Sequence, residues 1–230
     1  MATTRQPWPS WPGAPAACAH EVAARTIVPA AGPSMTQVVL IRPGATAYDE
    51  QDRVQGVLDI PLSDRGRAEV AALVARLAEP CPERPLAALY CGPGESVVRT
   101  AEAVGKALGL RPKRIDDLRN LDQGLWQGLQ LGEIKRRNLK VFRQWLDDPV
   151  TVCPPQGETI ESALERVKQA LRPLIKRHHD EAIGLVVGEP IAQLIACHLR
   201  RDPRVQLDDR LPTGGFERID IAPEPGRNGH

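Results

Sequence analysis

Residues 38–46 read Val-Val-Leu-Ile-Arg-Pro-Gly-Ala-Thr, an apolar run that stops at an arginine, a proline and a glycine. A short apolar run bounded by turn residues is typical of a buried strand in a parallel sheet. Three later stretches have the same character, and we predict strands at 37–42, 86–91, 183–187 and 216–221. Arg42 then lies at the carboxyl end of the first strand, where open α/β sheets bind their ligands.

Helical patterns separate the predicted strands. One helix is expected to begin near Ser63, which can serve as its N-cap, and a second runs from Gly94 through Leu108. A long helix follows Glu158 and reaches its final turns near Pro173, and a shorter one covers 189–199. Strands alternating with helices predict a single three-layer α/β domain over 35–222, a mostly parallel sheet with helices on both faces.

The two ends of the chain have a different composition. Residues 1–34 are rich in Pro, Ala and Gly and carry no periodic apolar face, so we predict a disordered tail, with a second short flexible tail at 223–230. Met1 and Met35 are the only methionines, and Met35 stands two residues before the first strand. One hypothesis is therefore that the natural chain starts at Met35 and that the preceding segment is a gene-model extension.

Composition narrows the classes of function. The 30 basic and 29 acidic residues leave a net charge of +1, which gives no global field for nucleic acid. No apolar run is long enough to span a bilayer. The five cysteines are odd in number and contain no Cys-x-x-Cys pair, which argues against a disulfide scaffold or a zinc site. We expect a cytoplasmic protein with no metal, cofactor, nucleic acid or membrane partner.

Motifs across 37–221 resemble those of the histidine phosphatase (phosphoglycerate mutase-like) superfamily. The most specific is Gln-Gly-Val-Leu-Asp-Ile-Pro-Leu-Ser-Asp-Arg-Gly at 55–66, and shorter matches occur at 100–104, 118–128 and 157–159. The resemblance implies the fold of that family. It also implies the family's chemistry, in which a histidine accepts a phosphoryl group from a phosphorylated substrate.

At the positions to which the resemblance assigns chemistry, this chain differs. Pro43 occupies the place of the nucleophilic histidine and Gly188 that of the second histidine. Ser96 replaces a phosphate-binding arginine, and Asn120 replaces a glutamate that donates a proton to the leaving group in many members. Proline has no titratable nitrogen, and an amide does not donate a catalytic proton at neutral pH. We therefore expect no catalysis by the family's mechanism.

Arg42 is the one clear survivor of the implied site, and two interpretations of it stay open. It can bind an oxyanion with help from the backbone N–H of Gly44, or it can pair with Glu189, which follows Gly188 at a strand end. Arg99 is a further anion-binding candidate, three residues after Ser96 on the same helix, although an arginine in such a place usually forms a surface ion pair.

The sequence thus favours a pseudoenzyme, a catalytically inactive family member that acts as a binding, regulatory or assembly module. Its partner is either an unknown protein or a weakly bound phosphate-containing small molecule, and oligomerisation stays open. The alternative is a phosphatase or mutase-like enzyme with non-standard residues, Glu189 as base and Arg42 with Arg99 as clamp. A cysteine phosphatase mechanism at Cys91 is disfavoured, because its loop needs an arginine six residues later and Val97 stands there.

Overall fold

The structure is a computed structural model that describes residues 35–79, 84–137, 139–202 and 210–221. The predicted tails at 1–34 and 223–230 lie outside the described residues. The strands are β1 Thr36–Ile41, β2 Leu86–Cys91, β3 Lys113–Arg114, β4 Ala182–Val186 and β5 Phe216–Ile221. The helices are α1 Ala47–Glu50, α2 Asp64–Ala78, α3 Glu95–Leu108, α4 Leu131–Arg137, α5 Leu139–Asp147, α6 Ile160–Arg177 and α7 Ile191–Arg200.

The five strands form one sheet in the order β3-β2-β4-β1-β5. β1, β2, β3 and β4 pair in parallel, and β5 runs antiparallel to β1 at the edge. Ile41 and Cys91 are both in register with Val186 of the central strand. The carboxyl ends of β1, β2 and β4 therefore meet at one level, and the residues that follow them are brought close together.

Helices cover both faces of the sheet, as the alternation along β1 requires. Val38 and Leu40 belong to the larger apolar cluster, which also contains inward residues of α6 and α7. Val39 and Ile41 point to the opposite side and join a cluster formed with α2 and α3. The predicted fold class, a single three-layer α/β domain with a mostly parallel sheet, is confirmed.

The predicted helices begin close to their expected caps. The Ser63 side chain accepts a hydrogen bond from the Gly66 N–H at 3.1 Å, and α2 starts at the next residue. Pro173 lies in the last turns of α6, and the helix continues for one more turn. α7 starts at Ile191, two residues later than predicted, since Pro190 is its N-cap residue. Glu189 consequently lies in the turn that precedes the helix.

Several short elements were not predicted, namely β3, α1, α4 and α5. α5 is amphipathic, and its inward residues Phe142 and Trp145 are buried, with Trp145 in edge contact with Trp126. Within the part of the chain that the structure describes, no helix combines the length and the apolar character needed to cross a bilayer.

Candidate functional site

A cavity of about 330 Å³ lies beyond the carboxyl ends of β1, β2 and β4. Segments from six separate parts of the chain line it, within 42–49, 53–58, 92–97, 118–120, 188–189 and 210–213. The sequence-derived candidates that line this cavity are Arg42, Pro43, Gly44, Ser96, Asn120, Gly188 and Glu189. The structure therefore brings together residues that are up to 147 positions apart in the chain, from Arg42 to Glu189.

Arg42 is held by two acceptors. Its Nη2 donates to Asp49 Oδ1 at 3.1 Å, and its Nη1 donates to the Leu211 carbonyl. Asp49 is itself fixed by the first turn of α1, where its Oδ2 accepts from the backbone N–H and the hydroxyl of Thr46 at 2.8 and 2.7 Å. Of the two interpretations left open for Arg42, the ion pair with Glu189 does not form; the guanidinium pairs with Asp49, which the capping turn holds beside it, while its charge still acts on Glu189.

The turn after Arg42 is tightly packed. Pro43 is buried, and its carbonyl accepts from the Gly214 N–H at 3.0 Å. A Cβ on Gly44 would lie 2.3 Å from the Gly66 carbonyl oxygen, so only glycine allows α2 to approach this closely. The Gly44 N–H donates to the Thr100 hydroxyl at 3.4 Å, so this amide already has a protein acceptor.

Asn120 bridges two loops at the rim of the cavity. Its Nδ2 donates to the Gly56 carbonyl at 3.0 Å, and its Oδ1 accepts from the Leu121 N–H at 2.9 Å. A Cβ on Gly188 would lie 3.4 Å from Asn120 Nδ2, so the two positions are direct neighbours. Ser96 is buried in the first turn of α3 on another wall of the same cavity.

The loop that carries Asn120 is anchored by a buried arginine. Arg166 of α6 donates to the Asp117, Arg119 and Asn120 carbonyls at 2.7, 2.8 and 3.1 Å. Its other donors hold both oxygens of Glu158, at 2.7 and 2.8 Å. Burial by itself would raise the pKa of Glu158, but the hydrogen bond and charge of Arg166 outweigh it and lower that pKa below its usual value.

Glu189 is a carboxyl with incomplete hydrogen bonding. Its Oε2 is buried and has no hydrogen-bond partner among the described residues. Burial raises the pKa of this carboxyl, and the charges of Arg42 and Arg210 and the backbone N–H groups of Gln193 and Leu211 oppose the rise. Glu189 lines the main cavity and also a neighbouring one of about 270 Å³, so it stands in the wall between them.

Arg99 does not reach the cavity, contrary to its proposed part in anion binding. It pairs with Glu102 at 3.2 Å, its side chain is 63% exposed, and it lines a separate groove between α2 and α3. Ser96 lies at one edge of the buried face of α3, which continues through Val97, Ala101 and Gly105, so Arg99 falls beyond that edge on the exposed side of the helix.

Three arginines in the lining were missed by sequence reasoning, namely Arg53, Arg119 and Arg210. Arg53 lies two residues before the motif at 55–66 and Arg119 lies within the motif at 118–128, so their position at or in a matched motif was the available signal. Arg210 had none, because only the fold brings it beside Glu189. Counting Arg42, four arginines line the cavity together with the two carboxyl residues Asp49 and Glu189.

No histidine or cysteine is among the residues that line the cavity in the described part of the chain. Cys91, at the end of β2, is buried, and burial raises the pKa of its thiol to about 11. Over the described ranges, no group of three or more His, Cys, Asp or Glu side chains could hold a metal ion.

The protein has a three-layer α/β fold and an arginine-lined cavity at the carboxyl edge of its sheet. These two features are those of the phosphatase and mutase scaffold. The model of the histidine phosphatase superfamily (branch 1) matches residues 38–225. The chain belongs to this superfamily.

Similar proteins include phosphatases. Phosphoserine phosphatase 1 of Hydrogenobacter thermophilus is 28% identical over 165 residues, covering 72% of this chain and 76% of that protein. The bifunctional protein Rv2228c of Mycobacterium tuberculosis is 33% identical over 166 residues, which span 71% of this chain but only 44% of that protein. The solved structure of the mycobacterial glucosyl-3-phosphoglycerate phosphatase Rv2419c with VO3 superposes with a TM-score of 0.71 at 23% identity, over 79% and 91% of the two chains.

Proposed function

We propose that this protein is a catalytically inactive histidine-phosphatase-like pseudoenzyme that works as a binding, regulatory or assembly module and keeps a weak phosphate site. The observation that carries the proposal is the cavity lining around Arg42. The resemblance assigns catalytic or phosphate-binding roles to four positions of this chain, and all four residues line this one cavity: Pro43, Ser96, Asn120 and Gly188. None of these side chains supplies a nucleophilic imidazole, a second guanidinium or a carboxylic acid.

Loss of the nucleophile has a large expected effect. Removing a nucleophile typically lowers turnover about a millionfold, and phosphoryl transfer also needs cations that converge on the equatorial oxygens. Here Arg42 divides its donors between Asp49 and the Leu211 carbonyl. Asn120 is committed to the Gly56 carbonyl and the Leu121 N–H. These contacts favour a rigid, silent site over a catalytic one.

A weak anion site is supported by the charge of the lining. Four arginines and two carboxyl residues line the cavity, and although Arg42 pairs with Asp49 and Arg119 lies within 4 Å of Asp117 and Glu158, guanidinium groups outnumber carboxyls in the lining. One guanidinium hydrogen bond to an anion contributes about 1.5–3 kcal/mol, so an oxyanion held by Arg42 and a few amides is expected to bind with a Kd near millimolar.

The direct test is hydrolysis of para-nitrophenyl phosphate from acid to neutral pH by the wild-type chain and by Arg42→Ala. We expect both proteins to release nitrophenol at the rate of the uncatalysed control. Turnover by the wild type that disappears in Arg42→Ala would refute the pseudoenzyme proposal.

A second test restores the four groups together, as Pro43→His, Ser96→Arg, Asn120→Glu and Gly188→His. The expected result is measurable phosphohistidine formation with an aryl phosphate. A matched control carries the last three substitutions with Pro43 unchanged and should form none. A folded fourfold variant without phosphohistidine would contradict the position assignments on which the proposal depends.

The second candidate is a phosphatase or mutase-like enzyme with non-standard residues, and Glu189 is the observation that favours it. A buried carboxyl with a raised pKa can act as a general base or acid near neutral pH. The clamp would then be Arg42 with Arg53, Arg119 or Arg210, since Arg99 lies elsewhere. Turnover abolished by Glu189→Gln and retained by Glu102→Gln would establish this candidate.

The cellular setting belongs to the same proposal. Cys91, Cys153 and Cys197 are free thiols, which suits a reducing cytoplasm. The ligand is proposed as a phosphate-containing small molecule or a phosphorylated or anionic group on a protein partner.

A further inference from the structure

The Glu189 carboxyl is the unusual feature of this cavity. Its Oε2 is buried without a hydrogen-bond partner among the described residues, which costs free energy unless something satisfies it. The terminal torsion of a glutamate is soft, so either carboxyl oxygen can turn toward a group in the cavity that Glu189 lines. A ligand that offers a hydrogen to this carboxyl would therefore gain a bond that the empty protein lacks.

Charged groups approach Glu189 from each neighbouring element. Arg42 at the end of β1 and Arg210 before β5 act on it through their positive charges. Asp49 of α1 offsets part of Arg42 through their ion pair. The remaining charged residues around the two cavities that share Glu189 are Arg53, Arg119, Arg200, Asp202 and Glu217. Arg200 and Glu217 pair with each other.

We propose that Glu189 makes the Arg42 cavity a selective site for protonated oxyanions, in which the bound phosphate and the Glu189 carboxyl share one proton. This inference rests on the proposed phosphate site. Hydrogen phosphate brings that proton itself, as a P–OH that donates to the ionised carboxyl. Sulfate brings none, and it binds only after the carboxyl has taken up a proton from solution.

The two anions make a matched pair of probes. At about pH 8 hydrogen phosphate and sulfate are both tetrahedral dianions, and they differ by a single hydroxyl proton. Global charge and cavity size therefore cannot separate them. What separates them is whether an ionised carboxyl in the lining meets a donor or a second negative charge. Because burial raises the pKa of Glu189, this carboxyl takes up a proton, and so admits sulfate, at a higher pH than an exposed glutamate would.

The experiment titrates the full chain with sodium phosphate and sodium sulfate at constant ionic strength, following amide chemical shifts by NMR. For the wild type at about pH 8 we expect phosphate to bind at least about tenfold more tightly than sulfate, the ratio expected for one charge-assisted hydrogen bond. Sulfate affinity should rise as the pH is lowered from about 8, since protonation of the carboxyl removes its repulsion of the anion.

Two variants identify the responsible group. In Glu189→Gln the amide donates to either anion, so the phosphate preference and the pH dependence of sulfate binding should both disappear. Glu102→Gln, an exposed carboxyl outside the cavity, should behave as the wild type.

The outcomes separate this inference from the phosphate site itself. Equal wild-type affinities for the two anions at about pH 8, or a preference that survives in Glu189→Gln, would overturn the shared-proton inference and leave the phosphate site standing. Binding of neither anion by the folded wild type would overturn both.

Discussion

Arg166 provides the sharpest test of how the cavity loop is held, through the substitution Arg166→Met. The side chain is 9% exposed and makes five hydrogen bonds, two to Glu158 and three to the carbonyls of Asp117, Arg119 and Asn120. Methionine keeps most of the apolar length of the side chain and none of the donors. The substitution therefore removes the nearer of the two cations beside the Glu158 carboxylate, with Arg119 remaining at 3.8 Å, and leaves three backbone acceptors without their donor.

Breaking a buried ion pair by removing one partner costs about 3–5 kcal/mol, compared with a total unfolding free energy of about 5–15 kcal/mol for a domain. Urea unfolding followed by circular dichroism measures this loss. With an m value of about 2 kcal/mol/M, the midpoint should fall by about 1.5–2.5 M. Arg99→Met is the matched control, because the Arg99–Glu102 pair is exposed, and it should change the unfolding free energy by less than about 1 kcal/mol.

The pH dependence of the unfolding free energy tests whether the Arg166–Glu158 ion pair is the cause of the loss. The folded-state pKa of Glu158 is lowered, so its ionised pair stabilises the wild type above the pKa of the unfolded chain and loses that effect as the pH falls through the folded-state pKa. In Arg166→Met the main group that opposes burial is gone, so the pKa of Glu158 rises relative to that of the wild type, although Arg119 and a backbone hydrogen bond from Asp122 still lower it. The stability gap between the two proteins should thus be widest at neutral pH and narrow in acid.

A double variant, Glu158→Gln with Arg166→Met, removes the stranded charge and should be more stable at neutral pH than Arg166→Met alone. A loss below about 1 kcal/mol in Arg166→Met, close to the surface control, would refute the reasoning, since the pair would then behave as a solvated one.

Three further outcomes are expected. Gly44→Ala should lower the unfolding free energy measured in urea by about 2 kcal/mol or more, because the added Cβ would lie 2.3 Å from a carbonyl oxygen of α2. Gly94→Ala is the control and should cost about 1 kcal/mol or less, because its Cβ would meet only a side-chain carbon at 3.7 Å. Equal losses would contradict this packing argument. Glu189→Gln should stabilise the protein at neutral pH and have no effect well below the ordinary pKa of a glutamate. The reason is that a raised folded-state pKa of Glu189 lowers the stability of the wild type once the glutamate of the unfolded chain ionises. A change in thermal stability that does not depend on pH would contradict this prediction. Iodoacetamide at neutral pH should label the exposed Cys153 long before Cys91, because the Cys91 pKa of about 11 keeps that side chain in the unreactive thiol form. Mass spectrometry of the native protein that shows the reverse order of labelling would contradict the burial of Cys91.

Most strands and the major helices could be predicted from the sequence because the patterns that indicate them are local. The apolar run at 38–41 and the three runs that resemble it predicted four of the five strands to within a residue or so at each end. Ser63 marked the start of α2, since an N-cap hydroxyl and the helix it begins are adjacent in the chain. β3 escaped prediction because two exposed residues, Lys113 and Arg114, carry no apolar pattern.

The site was readable only in part. The motif matches predicted that four residues belong to one site, and the structure does bring them together around one cavity: Pro43, Ser96, Asn120 and Gly188. The sequence left the partner of Arg42 open between an oxyanion and Glu189 and did not indicate Asp49, because the distance to Asp49 depends on the capping turn formed by Thr46 and Asp49.

By itself, the amino-acid sequence determined the strand and helix pattern and the mostly parallel sheet, and it has Pro43 and Gly188 where the family resemblance implies histidines. These depend on residue identity and on periods of two and 3.6 residues, which the chain displays directly. Tertiary structure alone decided that Arg42 pairs with Asp49, that Arg99 lies outside the cavity, and that Glu189 has a buried oxygen with no hydrogen-bond partner among the described residues. Those outcomes depend on distances between side chains far apart in sequence, which exist only once the sheet has brought its strand ends together.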